Sequence, residues 1–417
     1  MEIIVNIFNK KVGTLYEEDG IISFEYEQNF IDSGLNLSPL KLPFTTATYS
    51  NLDDKYFESL AGVFFDSLPD KFGTKVMQRY YESKNIAVRD LTLLQKLIFI
   101  GKRGMGALEY EPSEKILDNV AASEPLEIRD MYESSKKIID GEAIESIKKI
   151  LSFMDSAASA GGARAKAVVG WNRDTNTIVS GSGEIDASYE YWLIKFDTTD
   201  EYGKSTDFTK LEYIYMSMAK DCNINVPDIT IFEDNELSHF AIKRFDRVNG
   251  DKLHMHSLAS MVHVNFNEPL HYSYDEAFRV VRFITKNARD VEEFYKRAIF
   301  NVLAINQDDH AKNTSFLMDV KGNWSLSPAY DITYANGQGF TKNHQMSIVG
   351  KTNNFTKDDL LHLGINNNIK KNRALEIIED VAKVVSTFSI RAKKLNVRED
   401  LIALVQHDLE VRKNKIG

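Results

Sequence analysis

Asp308 and Asn313 stand five residues apart in Asp308-Asp309-His310-Ala311-Lys312-Asn313, and Asp331 follows in Ser327-Pro328-Ala329-Tyr330-Asp331. These groups can serve phosphoryl transfer from ATP, whose transition state needs positioning and charge neutralisation more than covalent help. One carboxylate orients the acceptor hydroxyl and takes its proton. An amide and a second carboxylate hold magnesium against the phosphates. Phosphotransferase catalytic loops place the first carboxylate and the amide at this spacing, with the metal-binding Asp on a later strand end. Between the two, Thr314–Met318, a turn at Lys321-Gly322-Asn323, and Trp324-Ser325-Leu326 predict a hairpin that returns Asp331 to the site. The plainer alternative is that Asp308 and Asp309 end a helix and Asn313 caps a turn, as Asp and Asn commonly do.

Two further signals lie upstream. Lys195 ends the apolar run Tyr191-Trp192-Leu193-Ile194-Lys195-Phe196, where a rigid strand can aim an ammonium at the α/β-phosphates, and Glu212 on the next helix is a plausible partner. Gly161-Gly162-Ala163-Arg164-Ala165-Lys166 can bring backbone N–H groups close to phosphate oxygens. It is neither a Walker A loop nor a dinucleotide fingerprint. Taken singly, the lysine reads as a strand-end residue reaching water and the glycines as a flexible loop. Their order is what points to a kinase: glycine loop, lysine strand, carboxylate helix, catalytic loop, metal aspartate.

The elements around these residues divide the chain in three. Ile3–Phe8 and Gly20–Tyr26, separated by the turn-like Glu17-Glu18-Asp19-Gly20, predict strands, and residues 55–100 predict helices through Tyr56, Leu60, Val63 and Phe64 and through Leu93, Leu94, Leu97 and Ile98. The polar stretch 111–145 marks a boundary. A helix near 142–154 and the small-residue run 156–163 precede strands ending at Val169 and Phe196, a helix over about 208–221, and strands at 229–232 and 240–245. From about 255 the pattern is helical. Asp290 is positioned to cap a helix ending at Asn306, and long helices are expected near 370–393 and 398–411.

With 417 residues the chain exceeds one ordinary core. A net charge of −10 argues against a broad basic face for nucleic acid. The single cysteine, Cys222, excludes an internal disulfide and a cysteine-built zinc site, and no apolar run is long enough to span a membrane, so a cytoplasmic location is expected. His254, His256, His263 and His271 match no defensible metal spacing. His310 is expected to pack and orient Asp308 rather than act as a base.

The chain resembles the HipA family of serine/threonine kinase toxins over nearly its whole length. The likeness rests on Gly13-Thr14-Leu15, Phe24-Glu25-Tyr26, Leu37-Ser38-Pro39-Leu40, Asp66 through Gly73, Gly162 through Lys166, Ile194-Lys195, Val226-Pro227, Arg244-Phe245-Asp246-Arg247, Asp308 through Asn313, and Pro328 through Asp331. The resemblance implies an α+β, protein-kinase-like bilobed fold: an N-terminal α+β subdomain at 1–125, a strand-rich lobe at 140–254 and a mainly helical C-terminal lobe at 255–417. It implies ATP and Mg²⁺ as cofactors, Asp308 as catalytic base, Asn313 and Asp331 as magnesium ligands, Lys195 and the loop Gly161, Gly162 and Ala163 as phosphate contacts, and backbone near Arg244 and Phe245 against the adenine. Ser159 stands where family members carry an autophosphorylated serine, and a phosphate there would add about −1.5 to −2 charges beside the phosphate site.

The resemblance further implies a small DNA-binding antitoxin of the HipB kind, contact with DNA only through that partner, and a protein substrate; family substrates include an aminoacyl-tRNA synthetase. Arg164-Ala165 stands where the family often has Gln-Glu, and Lys243 where a Glu is common. Two other readings remain open at this level: a small-molecule phosphotransferase, and an ATP-binding repressor subunit without turnover.

Overall fold

The alternating N-terminal sequence folds as an antiparallel meander of β1 (Glu2–Ile7), β2 (Lys10–Glu18) and β3 (Ile21–Tyr26). Asp19 and Gly20 make the two-residue β2–β3 turn with φ of +48° and +76°, the mirror-image geometry that matches strand twist. β4 (Leu108–Glu111) joins β1 to give the order β3-β2-β1-β4. The structure is a computed structural model that describes residues 1–52, 54–114, 124–141, 164–268 and 271–416. The helix expected near 142–154 and the small-residue run 156–163 lie outside those residues.

The chain folds as two units, the first made of Met1–Phe196, Ala241–His263 and Leu317–Asn323. In it the helices Gly62–Phe65, Lys71–Glu82, Leu93–Ile100 and Ile128–Asp140 bury an apolar stripe each. Tyr56 and Leu60 precede these helices instead of belonging to one. Glu58 and Ser59 take φ of +49° and +65°, and Ser59 bridges to Asn51, so no helical path runs through them. Thr92 and Gln95 form a reciprocal capping box that sets where Leu93–Ile100 begins.

In the same unit β5 (Lys166–Asn172) pairs antiparallel with β6 (Thr177–Ser180) on one side and β7 (Glu190–Lys195) on the other. Thus β5 runs past Val169, where its end was expected. Two buried carboxylates tie distant segments of the first unit together. Asp66 accepts from His256 Nδ1 at 2.8 Å, from Ser257 N and Oγ at 2.7 Å each, and from Ser260 Oγ at 2.8 Å, while His256 Nε2 meets Ser38 Oγ at 3.1 Å. Asp246 takes a two-point bond from Arg244, a third from Arg247 and a fourth from the Gly106 amide. Burial pushes the Asp246 pKa up, but Arg244 and Arg247 outweigh it and hold the carboxyl well below the usual range. Gly62 is required where its helix meets Leu258–Val262: a Cβ there would fall 2.1 Å from Ser260 O.

The second unit comprises Asp197–Phe240, Val264–Phe316 and Trp324–Gly417. It holds β8 (Ile229–Asp234) and the helices Phe208–Asp221, Tyr274–Thr285, Ala288–Leu303, Lys357–Asn366, Lys371–Val385, Phe388–Lys394 and Glu399–Ile416. Its core is aromatic-rich, with Phe278 and Phe294 edge to face at 4.8 Å and Tyr215 set against Phe300 and Phe388. The Ala288–Leu303 helix is capped by Asn287, which accepts from the Arg289 amide. Asp290 lies inside the first turn and accepts from Leu326 N instead of capping. The long helix expected over 370–393 is broken at Ser386 and Thr387, whose hydroxyls capture the carbonyls of Lys383 and Val384. β9 (Leu237–Lys243) is shared along its length, its residues up to Phe240 belonging to the second unit and Ala241–Lys243 to the first. Among the described residues no helix is long and apolar enough to cross a membrane.

Candidate functional site

In the second unit the Ala288–Leu303 helix delivers the chain into Asn306–Asn313 through Ile305, a β-branched residue at φ +57°. Ala335 clamps this strained residue on both sides: its N–H donates to Ile305 O at 3.1 Å and its carbonyl accepts from Gln307 N at 3.0 Å. Asp331, four residues before Ala335, is the second left-handed residue of the site, at φ +58°. Such outliers persist only where surrounding bonds over-determine them.

The bonds are there. Arg297, buried on the Ala288–Leu303 helix, pairs with Glu293 at 2.9 Å and donates to Ser327 O at 2.7 Å, fastening the run into Pro328–Asp331. Ala329 N donates to Asn225 O at 2.7 Å. Tyr330 donates to Lys312 O at 2.8 Å and meets Ser315 Oγ at 2.6 Å, which stitches the expected hairpin, strands Ser315–Met318 and Trp324–Leu326, to the loop.

The two adjacent aspartates differ sharply. Asp309 is fully buried; it accepts from Tyr274 OH and His344 Nδ1 at 2.8 Å and from Gln345 N at 2.7 Å. Asp308 keeps 38% of its side chain exposed, so its carboxylate can meet an incoming hydroxyl. Asn313 Nδ2 donates to Asp308 O at 2.8 Å, which turns the amide so that its Oδ1 is buried with no hydrogen-bond partner. Asn313, His310 and Asp331 line one cavity. An orphaned amide oxygen and a carboxylate lining one cavity are hard-oxygen donors of the kind magnesium takes, so these residues fit that ion.

His310 does not fit a base. Burial holds its pKa down at about 4, its Nδ1 has no hydrogen-bond partner, its Nε2 stands 3.6 Å from Asp308 Oδ1, and its ring packs on Phe266 at 4.9 Å.

In the first unit Lys195 ends β7 directly opposite Lys166 on β5, so the two ammonium stems share one face. Lys166 is neutralised by Asp70, 2.6 Å away with both groups buried, and Asp70 also caps the Lys71–Glu82 helix through the Gly73 amide. The Arg244 amide donates to Tyr191 O at 2.9 Å, which turns any backbone contact to a ligand in this segment toward other groups, Phe245 among them. Lys243 pairs with Glu190. Glu212 is buried on the Phe208–Asp221 helix of the second unit. Ser159, Gly161, Gly162 and Ala163 lie outside the described residues.

The structure therefore groups Asn313 and Asp331 and ties Asn313 to Asp308, while Lys195 belongs to the first unit. Sequence reasoning missed Asp309, Arg297 and Asp70. Asp70 had a visible signal in Asp66 through Gly73, a motif already notable, but its partner Lys166 lies 96 residues away.

The family model of the HipA N-terminal domain matches residues 3–111 and that of the HipA-like C-terminal domain matches 158–388. Y4dM of Sinorhizobium fredii, named as a candidate kinase, is 29% identical over 192 residues, 41% of this chain and 45% of that protein. The chain thus spans less than half the length of this curated relative. Among solved structures, HipA of Shewanella oneidensis MR-1, from a toxin–antitoxin complex with HipB and operator DNA, superposes with a TM-score of 0.70 at 16% identity, over 99% of this chain and 97% of that one. That likeness establishes the fold.

Proposed function

The chain belongs to the HipA family, and from that premise we propose that it is an ATP- and Mg²⁺-dependent serine/threonine protein kinase acting as a toxin. The observation that carries the reading is the pairing of an accessible Asp308 with an Asn313 whose Oδ1 is orphaned in the cavity it shares with Asp331. Asp308 orients the acceptor hydroxyl and takes its proton as the γ-phosphate is transferred. Asn313 Oδ1 and the Asp331 carboxylate hold the magnesium, which when bound neutralises charge on the phosphates. Lys195 meets the α/β-phosphates, while the opposed Lys166 is already compensated by Asp70. Backbone amides of Gly161, Gly162 and Ala163 cradle phosphate oxygens, and the adenine lies against backbone near Arg244 and Phe245. Ser159 is the autophosphorylation site, and its added charge shuts ATP out. The partner is a HipB-like DNA-binding antitoxin, as in the Shewanella complex, and the substrate is a protein, with an aminoacyl-tRNA synthetase as the family precedent.

The test is intact-mass measurement after incubation with Mg-ATP, with Asp308→Ala as control. One added phosphate on the native chain alone, mapped to Ser159, is the expected result. Equal labelling of Asp308→Ala would remove Asp308 from its role, and ATP binding with no transfer by a chain unphosphorylated at the start would favour a binding protein.

A further inference from the structure

Gln307, the residue before Asp308, lines a second cavity of about 240 Å³ in the same unit, one whose walls do not include the metal-binding pair. Gln307 is only 3% exposed and its Oε1 has no hydrogen-bond partner. On the same cavity's wall, from the Glu399–Ile416 helix, Arg412 has a buried Nη1 that also lacks one. A buried guanidinium N–H left unpaired is costly, and burial holds the Arg412 pKa below the ordinary arginine value. Its nearest electrostatic partners, Asp309 and Asp408, are otherwise engaged. Asp309 takes three bonds from Tyr274, His344 and Gln345, and Asp408 is bonded by Tyr334 and Asn336.

Lys342 and Lys415 line the same cavity, so three cations face one carboxylate, a local surplus of two positive charges in a chain whose net charge is −10. Lys415 reaches Asn354 at 3.3 Å, another wall residue. The polar atoms left unmet are a guanidinium donor that wants an oxyanion and an amide oxygen that wants an N–H or O–H.

We propose that this cavity selects the protein acceptor by binding an oxyanion carried near the hydroxyl to be phosphorylated, a carboxylate or a phosphate, with a main-chain N–H of the same segment donating to Gln307 Oε1. The proposal rests on the kinase reading, because it uses the one-residue link from Gln307 to Asp308, about 3.8 Å between Cα atoms, to bring the anchored segment to the base. A peptide supplies both complementary groups, an anionic side chain and an amide hydrogen, at adjacent positions. An oxyanion there supplies the acceptor that Arg412 Nη1 lacks.

Fluorescence anisotropy without ATP reads binding independently of turnover. The probes are serine-centred peptides flanked by Asp and Glu, by phosphoserine, by Asn and Gln, or by Lys. The acidic or phosphorylated probe is expected to bind at least tenfold more tightly than the neutral one, and whichever of the two leads identifies the oxyanion. Arg412→Gln should erase that preference, Arg412→Lys should restore part of it, and melting curves should match the native chain. In phosphotransfer assays Arg412→Gln should raise KM for the acidic acceptor about tenfold with kcat and the KM for ATP unchanged. Equal binding of charged and neutral probes, or an equal loss for all probes in Arg412→Gln, would overturn the proposal. So would Arg412-dependent binding confined to a poly-uridine RNA. Selective peptide binding with no phosphotransfer by the native chain would sustain the cavity and fail the kinase reading instead.

Discussion

Replacing Asp309 by Asn tests whether the buried aspartate, not its exposed neighbour, holds the catalytic loop. The carboxylate accepts three bonds at 2.7–2.8 Å, from the Gln345 amide on Oδ1 and from Tyr274 and His344 on Oδ2. Each bond to a charged acceptor contributes about 1.5–3 kcal/mol. An amide has one acceptor oxygen. If its NH₂ replaces Oδ1 it faces the Gln345 N–H, and a donor meets a donor. If it replaces Oδ2 it faces both Tyr274 and His344 Nδ1: the hydroxyl proton loses its acceptor, and the His344 proton must move to an Nε2 that is buried without a partner. The less costly placement, at Oδ1, loses the Gln345 bond and leaves two donors facing each other, about 3 kcal/mol together. Hydrogen exchange of the Gln345 amide reads this directly, since local opening free energy sets the rate. About 3 kcal/mol corresponds to a rate rise of roughly 100-fold, at 1.4 kcal/mol per decade. A rise under about fivefold, with exchange elsewhere in the unit unchanged, would refute the view that Asp309 is the anchor.

Three further outcomes are expected. Arg297→Ala leaves Glu293 as an uncompensated half-buried charge and frees Ser327, so it should cost about 3–5 kcal/mol in urea unfolding and weaken the magnesium dependence of ATP binding through Asp331; a loss below 1 kcal/mol would contradict it. Gly62→Ala drives a methyl into Ser260 O and should destabilise the first unit by about 1–3 kcal/mol, read as a lower melting temperature, whereas an unchanged one would show that the two helices part easily. His310, held at about 4 by burial, stays neutral in the fold while the unfolded imidazole takes its proton below about 6.5. The unfolded state therefore binds more protons between those values, so stability should fall as pH drops from about 6.5 to about 4, by at most about 3 kcal/mol, and His310→Phe should flatten that limb; parallel pH curves would overturn the assignment.

Much of the site was legible because its chemistry is local in sequence. Asp308, Asn313 and the hairpin leading to Asp331 fall within one short stretch, and the structure groups them. The strands at Ile3 and Ile21 were legible through alternation, but the turn read over Glu17–Gly20 narrows to Asp19 and Gly20, because Glu17 and Glu18 still pair in β2. What failed to show was whatever depends on long-range partners or on backbone strain. Asp308 and Asp309 are the same residue type side by side, and Tyr274, 35 residues earlier, with His344 and Gln345, 35 and 36 residues later, decide which is buried. Arg412 gave no signal because its meaning is an absent partner. The helical expectation for Tyr56 and Leu60 failed at Glu58 and Ser59, whose positive φ no pattern of apolar residues reveals.

The Asp66 cluster also sets a timetable for the ribosome. Its partners His256, Ser257 and Ser260 are 190, 191 and 194 residues downstream. At about 5–20 residues per second the nascent chain carries Asp66 for roughly 10–40 s before any of them emerges. During that interval β1 to β4 can assemble, but a carboxylate bound for a dry interior has only water to satisfy it, so the segment around Gly62–Phe65 has reason to stay open. A cell making this protein holds it half-finished and apolar-faced for that time, an interval in which a chaperone can still engage it.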